Sequence, residues 1–248
     1  GYGKKLLGKN HARIEAPYIL YSEETDYYYL FLSFGGLNAN DGYNIRVCRS
    51  KNPDGPYEDA LGQAMIECGG SDGSYFNDPD YEGYGVKLMG SHQWEPYETD
   101  ASKKATGYKS PGHNSAWYDP ETGRYFLIFH TRFVSQGERY SVRVHEFLMN
   151  KEGWPVVSPL RYAGEPVGLD AKNPQTGLYK VILHERDING EPHSSRVITL
   201  HEDGSISGDL SGSWAVGEGR RMNLTLEDVS YDGVILSGYD ENQKAYTT

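Results

Sequence analysis

The chain has 248 residues, of which 21 are tyrosine, 30 glycine and only four methionine, and it carries a formal charge of −11. That length can bury a core as one large β domain or two smaller ones, while the acidic balance excludes a phosphate backbone as partner, since nucleic acid needs clustered Lys and Arg. No apolar run approaches the about 20 residues of a membrane helix and no signal peptide is visible, so no membrane partner is expected.

Apolar residues fall in short runs punctuated by Asn, Asp, Gly and Pro, with no sustained helical period, which predicts an all-β chain. The first segment, Gly1-Tyr2-Gly3-Lys4-Lys5-Leu6-Leu7-Gly8, recurs as Gly83-Tyr84-Gly85-Val86-Lys87-Leu88-Met89-Gly90 with six of eight positions identical. Next comes Glu15, set among Ile14, Ala16 and Pro17 just ahead of a tyrosine-rich strand over residues 27–34. Apolar neighbours of this kind desolvate a carboxyl and favour its protonated, proton-donating form. Taken alone, a glutamate at a strand start is an ordinary surface residue. The strand ends in Gly35-Gly36-Leu37, a second strand spans residues 43–50, and the turn Asn52-Pro53-Asp54-Gly55-Pro56-Tyr57 closes the unit. Cys48 and Cys68 could form a lone disulfide or remain two buried thiols, and their number and spacing favour thiols over a metal site. Asp78, Asp80 and Glu82, in Phe76-Asn77-Asp78-Pro79-Asp80-Tyr81-Glu82, match no cation loop and read as a solvated turn.

Residues 15–34 lie over residues 112–131 without a gap, matching Tyr21 with Tyr118, Glu24-Thr25 with Glu121-Thr122, Tyr28 with Tyr125 and Leu30 with Leu127. Residues 94–109 then read as a loop insertion, and residues 140–147 as the second copy of the strand at 43–50. Repetition of short strands at this period predicts propeller blades with long loops, or else two similar hairpins in a sandwich. In this alignment His113 falls one place after Glu15, so both would start inner strands facing one channel. At the end of the following strand, His130 or Arg132 could bond ligand hydroxyls or orient the acid, or Arg132 could simply pair with a carboxylate. Beyond Pro159 the repeat stops. Short alternating strands at 179–184 and 195–200, joined by turns such as Asp187-Ile188-Asn189-Gly190, predict a separate small antiparallel β-barrel or sandwich.

The segment around Glu15, the strand end Ser33-Phe34-Gly35-Gly36 and the run Ser110-Pro111-Gly112-His113-Asn114 together resemble glycoside hydrolase family 43, above all its longer endo-1,5-α-L-arabinanases. The resemblance implies that residues 1–160 are the C-terminal blades of a five-bladed β-propeller catalytic domain and residues 161–248 an appended β-barrel or sandwich. It implies a secreted, inverting enzyme that cuts internal α-1,5 bonds of arabinan. Glu15 would be the general acid, Phe34, Gly36, Asn114 and Arg132 would bind substrate, and His113 would reach one calcium ion held in the channel largely through water. Inversion needs an acid and a base ~6.5–9.5 Å apart. The family's base and acid-tuning Asp residues lie upstream of its acid, so the resemblance implies a complementary N-terminal propeller fragment as partner, and one further strand after Thr248. A non-catalytic carbohydrate-binding propeller and an exo-acting arabinosidase or β-xylosidase are the competing readings.

Overall fold

A computed structural model describes residues 3–9, 11–73, 78–164, 176–240 and 242–247. Gly1 and Tyr2 of the first repeat, Phe76 and Asn77 of the acidic turn, and Thr248 lie outside the described residues. The chain is all-β: among the described residues there is no α-helix, only two single 3-10 turns. It divides into two compact units, one of Gly1–His92, Gly107–Val144 and His184–Pro192, the other of Gln93–Thr106, His145–Leu183 and His193–Thr248.

In the first unit, β1 (Ile14–Ser22), β2 (Tyr27–Phe34), β3 (Asn44–Ser50) and β4 (Val86–Met89) form a four-stranded antiparallel sheet in sequence order, the form of one propeller blade. Alternation explains the central position of β2. Leu30, Leu32 and Phe34 point to one face, Tyr29, Phe31 and Ser33 to the other, and all six are at most 1% exposed. The first set packs with Cys48, Tyr57, Met65, Cys68 and Tyr81; both cysteines are free thiols. β5 (His92–Trp94) follows, and then the second copy: β6 (Thr106–Asp119), β7 (Arg124–Phe133) and β8 (Tyr140–Met149), adjacent in that order.

The two copies agree in detail. Each first strand carries a bulge one residue after the aligned pair, with Ala16 at φ 52° in one and His113 at φ 49° in the other. Each hairpin turn has a left-handed residue, Asp26 or Gly123, whose amide bonds the carbonyl four residues back at 2.9 and 2.8 Å. Tyr21 and Tyr28 pair at 4.7 Å and 40°, Tyr118 and Tyr125 at 4.8 Å and 40°. The other repeat does not survive folding, because β4 is a strand while residues 3–8 form none.

The second unit holds β9 (Pro155–Arg161), which pairs with the end of β8, the short β11 (His193–Ser194), and the hairpin of β17 (Gly238–Asp240) and β18 (Ala245–Thr247). Its main element is one six-stranded antiparallel sheet of β10 (Gly177–Val181), β12 (Arg196–Leu200), β13 (Ser205–Gly208), β14 (Gly212–Val216), β15 (Arg221–Leu226) and β16 (Val229–Val234), in that order. Ile198, Leu200, Ile206, Leu210 and Leu226 form its core.

Two expectations are corrected. The stretch predicted as a loop insertion divides, since residues 106–109 begin β6 and His113 is therefore mid-strand. Residues 95–100 are fastened within the second unit by Lys180, which bonds Glu95 O at 2.7 Å and the Asp100 carboxylate. Conversely, the turn at Asp187–Gly190 belongs to the first unit, not to the appended domain. Its carbonyls at Arg186 and Asp187 take bonds from Arg46, and Asp187 pairs with Lys87 at 2.9 Å.

Candidate active site

Glu15 and His113 meet because their strands carry the same bulge. Glu15 Oε1 accepts a hydrogen bond from Tyr43 OH at 2.6 Å and lies 3.9 Å from His113 Nδ1. The two side chains are 51% and 64% exposed. Glu15 is thus only half covered within this chain, less than its apolar neighbours Ile14, Ala16 and Pro17 suggest.

Ser33, paired with Glu15 across β1 and β2, joins the two copies. Its Oγ accepts from the His113 amide at 2.8 Å and donates to Asn114 Oδ1 at 2.8 Å. Asn114 is 5% exposed and its Nδ2 is buried with no partner. His130 stacks on His113 with ring centres 6.2 Å apart and lies 5.9 Å from Tyr43; its Nδ1 is likewise buried without a partner. Burial first, then the Arg132 and His113 charges, push its imidazole below the ordinary histidine range, with Glu15 opposing. Arg132, 5% exposed, donates from Nε to Glu138 and lies 6.0 Å over the Tyr140 ring, leaving Nη1 buried and unbonded. The ion pair anticipated for Arg132 thus forms, and still leaves one donor unused. Three buried nitrogens without partners on β6 and β7 are unusual, since an unmade buried hydrogen bond costs about 1–3 kcal/mol.

Two residues expected to touch substrate are engaged in packing and loop contacts within this chain. Phe34 is 0% exposed, packed 6.0 Å from the Tyr81 ring with Arg46 4.7 Å over its own, so its ring is core. Gly36 donates its amide to Asp41 O at 3.1 Å, and a Cβ there would overlap the Arg13 guanidinium and the Asp41 side chain; it closes a loop. Asp78 is not solvated either, being 15% exposed and bonded by Arg13 and Tyr81. Among the described residues no group of three or more His, Cys, Asp or Glu could hold a metal ion.

Sequence reasoning missed Tyr43, Ser33 and Glu138. Strand register could have found the first: Glu15 faces Ser33 and Ser33 faces Ile45, so Tyr43, two residues before Ile45, shares their face.

Similarity to known proteins extends over the whole chain. Residues 159–248 match the C-terminal lipocalin-like domain of glycoside hydrolase family 43. Over 240 residues the chain is 52% identical to the extracellular endo-α-(1→5)-L-arabinanase 2 of Bacillus subtilis, an alignment covering 97% of this chain and 50% of that protein. A crystal structure of a family 43 glycoside hydrolase from Bacillus licheniformis superposes with a TM-score of 0.92 at 50% identity, over 99% of this chain and 54% of that one. The endo-1,5-α-L-arabinanase of Thermotoga petrophila superposes with a TM-score of 0.90 at 45% identity, over 100% of this chain and 54% of that one. The chain spans about half the length of these relatives.

Proposed function

The chain belongs to glycoside hydrolase family 43, and from that premise we propose that it carries the general acid of an extracellular, inverting endo-arabinanase that cleaves internal α-1,5-L-arabinofuranosyl bonds. The observation that carries this reading is Glu15, an accessible carboxyl held at the junction of two bulged strands beside buried donors that have no partner. Protonated Glu15 gives its proton to the glycosidic oxygen as the bond from that oxygen to the anomeric carbon breaks, and the resulting carboxylate keeps the Tyr43 hydrogen bond. Asn114 Nδ2, Arg132 Nη1 and His130 supply bonds to sugar hydroxyls. The base that activates water belongs to the complementary N-terminal propeller portion, which completes the site. We divide the chain near residue 160, with the acid-bearing blades before it and the appended domain after it, apart from the turn at Asp187–Gly190, which falls in the first unit.

Calcium belongs to the same proposal. Among the described residues no group of three or more His, Cys, Asp or Glu could hold the ion, and one exposed imidazole, His113, fits an ion bound mainly by water. Bound there, the ion would supply positive charge in the channel.

The test is release of reducing sugar from debranched arabinan by this chain, alone and with the N-terminal half of a relative. In the active preparation Glu15→Gln should cut the rate by about 10²–10⁴-fold while arabinan binding survives. A folded chain that binds arabinan and releases no sugar in either setting overturns the enzyme reading and favours a binding module.

A further inference from the structure

We propose that Tyr43 is the positioning residue of Glu15, and that Gly112 is glycine because the Tyr43 ring occupies the space a side chain would need. The proposal rests on Glu15 acting as the acid. Tyr43 is 0% exposed, yet its hydroxyl bonds a carboxylate that is half exposed. A Cβ on Gly112 would overlap the Tyr43 ring, 2.2 Å from its Cδ1 and Cε1. The His130 ring packs on it as well, with ring centres 5.9 Å apart.

The backbone behind the phenol is equally fixed. The loop from Gly35 to Gly42 is closed by the Gly36 amide on Asp41 O at 3.1 Å and by Asn44 Nδ2 on Gly42 O at 2.8 Å. A Cβ on Gly35 would overlap the Gly42 carbonyl, and one on Gly42 would overlap the Asn189 backbone. The hydroxyl is thus aimed by the fold, whereas a glutamate at a strand surface otherwise samples several rotamers.

This fixes which oxygen reacts. Tyr43 and His113 both approach Oε1. A donor already on Oε1 disfavours a proton there, so the proton rides on Oε2, the oxygen left to face the leaving group. Tyr140, the counterpart of Tyr43 in the second copy, lies 67% exposed against His130 and Arg132, so the aligned position carries no such function by itself.

Tyr43→Phe keeps the ring and removes only the hydroxyl. With ¹³C-labelled glutamate in the full chain, and the Glu15 signal assigned by its loss in Glu15→Gln, the wild type should show one fixed Glu15 rotamer and Tyr43→Phe an averaged one. Gly112→Ala, which displaces the ring, should match Tyr43→Phe. In a preparation that hydrolyses arabinan, kcat should fall by about 10–100-fold with KM within about twofold. A Glu15 rotamer unchanged in Tyr43→Phe overturns the proposal whatever the hydrolysis shows, as does a loosened Glu15 with kcat intact. A loosened Glu15 in a protein that cleaves nothing upholds the positioning and removes the hydrolytic reading instead.

Discussion

In the first copy of the repeat the residue before the bulge is Glu15 and the residue within it is Ala16; in the second copy the same places hold Gly112 and His113. Backbone, turn and tyrosine pair are shared, so the copies differ in chemistry and cover, not in scaffold. Glu15 needs a donor beside it, and Gly112 makes room for the ring that carries one. Cover differs just as much. Arg46 is 0% exposed, while its counterpart Arg143 is part-exposed, hydrogen-bonds Ser141 and Val142 of its own strand and lies 4.6 Å over the Phe133 ring. A duplicated hairpin can therefore hold an acid in one copy and an imidazole in the other without redesigning either backbone.

The largest expected effect tests that difference in cover. Arg46 bonds Asn44 Oδ1 and the carbonyls of Glu82, Tyr84 and Arg186, and burial, then the nearby Arg186, lower its guanidinium to about 10. Arg46→Ala should cost roughly 3–5 kcal/mol in urea unfolding, because it strands these acceptors. Arg143→Ala should cost under about 1 kcal/mol; equal losses would erase the distinction between the copies.

A second change asks whether the comparison is confined to the first unit. Burial acts to raise the Asp100 carboxyl, but the Lys180 hydrogen bond, the Tyr97 amide and the charges of Lys180 and Lys103 outweigh it, and the group titrates below its ordinary 3.8. A depressed carboxylate contributes its stability above the unfolded value and loses it as pH falls through the folded one. Asp100→Asn should thus cost roughly 1.5–3 kcal/mol near neutrality, and the difference from wild type should shrink below about pH 3.8. Hydrogen exchange should report the loss in β10 and β12 and leave β1, β2, β6 and β7 protected as before. Lost protection in both units would show that the effect is not confined to the second unit.

The smallest effect concerns the shared bulge. Left-handed backbone costs a residue with a Cβ about 1–2 kcal/mol, partly offset by the entropy glycine adds to the unfolded chain. Ala16→Gly and His113→Gly should each be neutral or stabilise by up to about 1 kcal/mol in thermal unfolding. A loss at only one of them would mean that the two bulges are not equivalent.

Alternation, turn residues and the tyrosine matches made the hairpins and their repetition readable, because those signals act between residues close in the chain or in register. Glu15 and His113 were readable as a pair for the same reason, as aligned places on one scaffold. The repeat Gly83–Gly90 misled because similarity over eight residues does not set secondary structure. Phe34 was expected near substrate from the resemblance of its strand end, and that local resemblance does not say which face of the strand a second layer will cover.

The sequence by itself determined the all-β character, the repeated hairpin and the carboxylate at its first bulge, since each follows from local backbone preference and strand register. Only the tertiary structure decided that Tyr43 grips Glu15, that Gly112 must lack a side chain, and that the turn at residues 187–190 joins the first unit. Those depend on segments distant in the chain competing for the same volume, and close packing of that kind leaves no periodic trace in the sequence.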